Sequence, residues 1–173
     1  MKATLAVLLA TIGLPGAAPA QYRLPTLVSS VQADSLHHAA VALETAHRVR
    51  DAARLHRRSA ELRAGEDPLG FRCLTEAAAL AYFTSDRSRA RADMAQAAGH
   101  ALARGDLRAA AHAYLDAAWI AQEQKKPRQV WELGHRAEML AEAPLLGASD
   151  RAAILQRIRR VPEAMLMAMR TAR

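Results

Sequence analysis

The sequence predicts an all-α chain of antiparallel helical hairpins, stacked as a short α-solenoid or helical bundle. Three observations carry this. Apolar residues recur at three-and-four spacing through the segments after residue 33. Residues that stop and start helices punctuate those segments: Gly65 with Asp67-Pro68, Thr84-Ser85-Asp86, Gly105-Asp106, and Pro127. No stretch after residue 20 alternates apolar and polar residues as a half-buried strand does.

In chain order, the first segment stands outside the fold. Met1-Lys2 is a short positive start, and Leu5 to Leu14 is an apolar run. That run falls short of the ~20 residues that span a bilayer. Pro15-Gly16 breaks it, and Ala18-Pro19-Ala20 supplies small residues for cleavage. Residues 1–20 are therefore expected to be a secretory signal cut before Gln21, placing the protein in the periplasm or outside the cell. No cysteine follows the small residues, which argues against a lipid anchor.

Residues 21–33, with Pro25 and two serines, read as an extended tether to a single helical domain over 34–173. Asp34 and Ser35 are candidate caps for one long helix reaching Ala64, with Leu36, Ala39, Ala40, Leu43, Ala46, Val49 and Ala53 on its apolar face. Gly65 ends it. Asp67-Pro68 opens a helix to about Phe83, with proline at the first position where a missing N–H costs nothing. The next helices run over 87–104 and 107–124. Met94, Ala97, Ala98, Ala101 and Leu102 share a face of the first; Leu107, Ala110, Tyr114, Ala117, Ala118 and Ala121 share a face of the second. Gly105 suits the left-handed residue that closes a helix, and Asp106 caps its successor. Pro127 opens a helix ending near Ala143-Pro144. Ser149 or Asp150 caps another, and 163–171 forms a short Met-rich terminal helix.

The stretch 91–143 resembles a tetratricopeptide repeat, a family of ~34-residue helical hairpins. Ala110-x3-Tyr114 matches its second-helix pattern, Gly105-Asp106 sits at its turn, Pro127 closes the unit, and Leu133-Gly134 matches its Leu-Gly pair. The first helix carries Met94, Ala97, Ala98 and Ala101 where the family has Trp, Leu, Gly and Tyr. Ala78-x3-Tyr82 lies 32 residues before Ala110-x3-Tyr114, a weak internal repeat. The resemblance implies stacked hairpins with a concave face that recognises peptides.

Composition narrows the function. The 173 residues carry 24 basic and 17 acidic side chains, a net charge of +7, supplied mostly by arginine. For an exported chain this favours an acidic protein or peptide, an anionic membrane surface or an envelope polymer over nucleic acid. The basic face on the helix through Arg48, Arg50, Arg54, His56, Arg57 and Arg58, and the cluster Arg87, Arg89 and Arg91, would provide that contact. No nucleophile motif or phosphate-cradling glycine loop is present, so the chain is expected to be non-enzymatic and to need no cofactor.

Two sets of residues offer ligands to a metal. His47 with Asp51, and His112 with Asp116, stand four apart and offer two ligands each, where a site needs three or four. Met165 and Met169 share a helix face and would suit copper, although methionine more often fills irregular cores. The lone Cys73 reads as a small apolar residue on a helix face, against the minority reading of a disulfide-linked dimer. Aromatic residues are few. Trp119, Trp131, Arg128 and Tyr114 are the candidate partner-binding residues, the tryptophans as anchors.

Overall fold

The computed structural model describes residues 27–160. Seven helices account for 81% of them and no strand occurs among them. They are α1 (Leu27–Thr45), α2 (Val49–Glu61), α3 (Pro68–Phe83), α4 (Arg87–Ala103), α5 (Leu107–Glu123), α6 (Pro127–Ala141) and α7 (Ala148–Arg159). Each helix from α1 to α6 packs chiefly on its neighbours in the chain, and α7 closes over both α5 and α6. Helices two apart are tied by longer side chains: α1 to α3 through His37 and Glu76, α2 to α4 through Arg57 and Asp93, α3 to α5 through Tyr82 and Glu123, α5 to α7 through Arg157 and Asp116. The result is a two-layer stack, with odd helices on one side and even helices on the other.

The stack repeats every 20 residues. Ala81, Ala101, Ala121 and Ala141 are at most 2% exposed, and Ala77, Ala97, Ala117 and Ala137 are fully buried. The turn residues Ser85, Gly105 and Lys125 keep the same interval, with φ of 65°, 76° and 56°. The turns close alike: Asp86, Asp106 and Lys126 donate their backbone N–H to the carbonyls of Ala81, Ala101 and Ala121 at 2.9–3.0 Å. This bond, reaching back five residues past a left-handed one, is the Schellman closure of a helix end. Alanine on the facing surfaces lets successive backbones approach closely. The 32-residue interval between Ala78 and Ala110 joins unlike positions, one late in α3 and one early in α5.

From residue 68 onward the helix limits fall within about two residues of those expected. Before that they differ. The stretch expected to be an extended tether is already helical from Leu27. The helix expected to run from Asp34 to Ala64 is two helices. His47 takes φ of 57° and Arg48 donates to the Leu43 carbonyl, the same closure as in the other turns. Histidine tolerates the left-handed region better than β-branched residues do, so no glycine or proline marks this bend. The buried face of α1 is correspondingly rotated: Ala33 and Ala40 are fully buried with His37 and Glu44 beside them, while Ala39 and Ala46 are exposed.

Capping differs along the chain. Asp67, Asp86 and Asp106 accept the backbone N–H of Leu69, Arg89 and Ala109 at 2.9–3.1 Å. Neither Ser149 nor Asp150 caps α7; Gly147 holds that position without a side-chain bond. The Met-rich segment with Met165 and Met169, the signal segment 1–20 and residues 21–26 lie outside the described residues.

Candidate functional site

Helix α5 is enclosed by α4 and α6, which explains why alanine fills most of its buried positions. Its remaining strip faces the odd-helix layer, and there Trp119 stands half exposed. Its ring lies 5.7 Å from that of Tyr82 on α3, tilted by 33°. Tyr82 in turn meets Phe83 edge-on at 6.2 Å, and Phe83 is 81% exposed. Three aromatic rings from the C-terminal ends of α3 and α5 thus form one continuous platform.

The platform is braced by charge. The Arg87 guanidinium lies 3.6 Å over the Tyr82 ring and 3.2 Å from Glu123, and it also donates to the Tyr82 carbonyl. The Tyr82 hydroxyl donates to Glu123 at 2.9 Å. Burial, then the Glu123 carboxylate beside it, hold the Tyr82 phenol above its usual range, so it stays a donor.

Beyond Trp119, a cleft of about 250 Å³ is lined by Leu115, Trp119, Gln122, Arg157 and Arg160. Arg157 is held by Asp116 at 2.5 Å and donates to His112 Nδ1 at 2.8 Å. Burial, with Arg157 adding to it, keeps His112 below its ordinary range and therefore neutral, able to accept that bond. The His112–Asp116 pair, weighed in the sequence as two metal ligands, is thus occupied by a guanidinium. The cleft is smaller than the ~300 Å³ that begins the range of small-molecule pockets. Its lining offers the Trp119 face to an apolar group and the Arg160 guanidinium to a carboxylate, while Arg157 is engaged by Asp116 and His112.

The four candidate residues part company. Trp119 lies in this site. Tyr114 is only 7% exposed and belongs to the core, with Arg136 over its ring at 5.6 Å. It packs in the core cluster that α5 forms with its neighbours. Trp131 is half buried and stacks on His135 of its own helix, ring centroids 5.3 Å apart. Arg128 on the same helix is almost wholly exposed and pairs with Glu132 at 3.0 Å. Both stand on α6, beside a shallower groove shared with α4 through Arg91, Ala92, Ala95 and Gln129. Tyr82 and Phe83, and with them Arg157 and Arg160, were not among the candidate partner-binding residues of the sequence. The signal that would have found them is the 20-residue period, which sets α3 and α7 on either side of α5.

The basic face on α2 is also altered. His56 is fully buried, and Arg57 turns inward to Asp93 at 2.7 Å. Arg48 and Arg54 both pair with Asp51, and Arg58 with Glu61. His47 lies in the α1–α2 turn, so it does not share a helix face with Asp51. Cys73 is fully buried, as expected of a helix-face residue. No helix among the described residues is long and apolar enough to cross a membrane. Comparison with protein-family models, curated proteins and solved structures gave no match.

Proposed function

We propose that this chain is an exported, non-enzymatic helical scaffold that binds an acidic segment of a partner protein or peptide along the odd-helix layer. Export rests on the Lys2, Leu5–Leu14 and Ala18-Pro19-Ala20 pattern. The single observation that carries the binding function is Trp119: a large aromatic residue, half exposed in an alanine-rich helix, flanked by the Tyr82–Phe83 rings and by the Arg157–Arg160 cleft. Tryptophan, tyrosine and arginine are the residue types that dominate binding energy at interfaces. An anchor side chain in the cleft would contribute affinity, and the arginines would select carboxylates and speed association.

The test is a selection of displayed random peptides on the purified chain. Peptides with an apolar residue flanked by Asp or Glu should be enriched, and their binding should weaken as salt rises. Trp119→Ala should lose ~2 kcal/mol or more of binding with the thermal midpoint nearly unchanged, because half of the ring is already in solvent. Undiminished binding by Trp119→Ala, or a melt far below the parent, would remove this site from the function.

A further inference from the structure

Where α1, α2 and α3 meet, the structure buries a set of side chains that no helical seam requires. His56 on α2 is fully buried. His37 and Glu44 reach it from α1, and Cys73 and Glu76 from α3. His56 Nε2 lies 2.5 Å from Glu44 Oε1. A carboxylate there accepts the Nε2 proton, which leaves the Nδ1 lone pair pointing the other way. Nδ1 lies 3.3 Å from Glu76 Oε2. Both atoms are buried, and neither has a hydrogen-bond partner among the described residues. Two lone pairs at that range repel unless a cation stands between them. A proton on Nδ1 would serve through the ion pair with Glu76, and a metal ion would serve as well.

The surrounding donors match a larger cation. Cys73 Sγ is 3.5 Å from His37 Nδ1, which is 3.9 Å from Glu76 Oε2. One ligand atom each from His37, His56 and Cys73 lies within 4.8 Å of the others. A tetrahedral zinc sphere with bonds of ~2.0–2.3 Å has edges of roughly 3.3–3.8 Å. The atoms of that triad lie at most about 1.5 Å beyond those edges, and Glu76 joins His56 and Glu44 in a second such triad. The atoms not facing the centre are already held. Arg72 donates to Glu76 Oε1 at 2.8 Å, and Glu44 holds His56. Such outer carboxylates fix the orientation and tautomer of ligating histidines. Glu44 and Glu76 are 36% and 27% exposed, so the cluster lies close to the surface.

We propose that His37, His56, Cys73 and Glu76 bind a divalent transition-metal ion of the zinc type. Two imidazoles, a thiolate and a carboxylate are a borderline-soft set; calcium and magnesium require oxygen ligands throughout. The thiolate and carboxylate charges cancel those of the ion, so the filled site is neutral in a buried place. Binding the ion requires loss of the Cys73 thiol proton. Four protein ligands close the coordination sphere, the arrangement of a structural clamp, here across the first three helices.

Cobalt(II) tests this on the full chain after dialysis against a chelator. The expected result is a near-ultraviolet thiolate-to-cobalt charge-transfer band that saturates at one ion per chain and is bleached by zinc. Because the chain contains one cysteine, that band can only arise from Cys73. Glu44→Gln should keep the band and weaken binding roughly 10–100-fold. Cys73→Ser should abolish the band. Should that variant fail to fold, the parent spectrum still decides. Cobalt bound without a thiolate band, or no cobalt bound at micromolar concentrations, would overturn the proposal.

Discussion

At the α4–α5 seam the buried side chains are Ala97, Ala98, Ala101, Ala110, Ala117, Ala118 and Ala121. At the α1–α3 junction they include His56, Ser59 and Cys73, with the Arg63 side chain only 3% exposed between Asp34 and Asp67. The first contact is generic. It recurs at 20-residue intervals and needs only small side chains and a tight turn. The second occurs once and is specific. Ser59 donates to the Ala33 carbonyl at 2.7 Å, a buried polar bond at a close helix approach. Each such group left without its partner costs ~1–3 kcal/mol. A chain that packs this well on alanine has no structural need for that burden, so the polar junction is where a ligand is to be sought.

Asp93 is the sharpest way to break the contrast, because it is a polar intruder in the alanine half. It is 1% exposed and held by Arg57 at 2.7 Å and Arg89 at 3.3 Å. Burial pushes its carboxyl up, and Arg57 and Arg89 oppose that rise. Arg57→Met should therefore destabilise the fold by about 3 kcal/mol, since it leaves a buried carboxylate with one exposed partner. Chemical denaturation checks this. A paired change of Arg57→Met with Asp93→Leu should recover most of the loss. No recovery would mean that the pair is not what holds α2 to α4.

The alanine seam itself is tested by volume. Ala97→Leu, at a fully buried site on α4, should cost ~1–3 kcal/mol. Ala92→Leu, exposed on the same helix, should cost a few tenths at most. Equal melting points for the two variants would show that close approach is not set by side-chain size. Ala110→Leu on α5 should behave as Ala97→Leu does.

The smallest expected effect concerns the turns. The Ala109 N–H, then the Arg104 side chain, hold the Asp106 carboxyl below its ordinary range. The folded value is below the unfolded one. The stabilisation is thus complete above the unfolded carboxylate range near ~4 and fades as pH falls through the lowered folded value. Asp106→Ala should cost ~1 kcal/mol near neutral pH, and the gap to the parent should narrow on acidification below ~4. Thermal melts of both proteins across pH 2–7 read this directly. A constant gap would assign the cap's contribution to helix propensity alone.

From residue 68 onward the helices were legible because each turn carries chemistry in its letters: Pro68, Asp86, Gly105, Asp106 and Pro127 all mark boundaries. The α1–α2 bend was not legible. Thr45-Ala46-His47-Arg48 contains no residue that marks a turn, and apolar spacing continues across it. Searching α1 for an apolar face also hid His37 and Glu44, which are inward because they meet His56 rather than because they are greasy. At the binding face, the tryptophan was visible and its setting was not. Tyr82 and Glu123 are 41 residues apart, and Arg157 and Asp116 likewise. Those pairs follow only once the single-helix period is known.

The single-file order of the helices has a consequence in time. Almost every buried contact joins a helix to one beginning about 20 residues away, so little chain must be closed before a contact forms. Such local topologies fold fast, and in stacked repeats order can begin at one pair and spread to its neighbours. The alanine pair α4–α5 needs no polar group to find its partner, which makes it the natural place to begin. The α1–α3 junction requires several side chains to arrive in register. It therefore assembles more slowly than the alanine pair, and Cys73 meets the surroundings only when that junction opens.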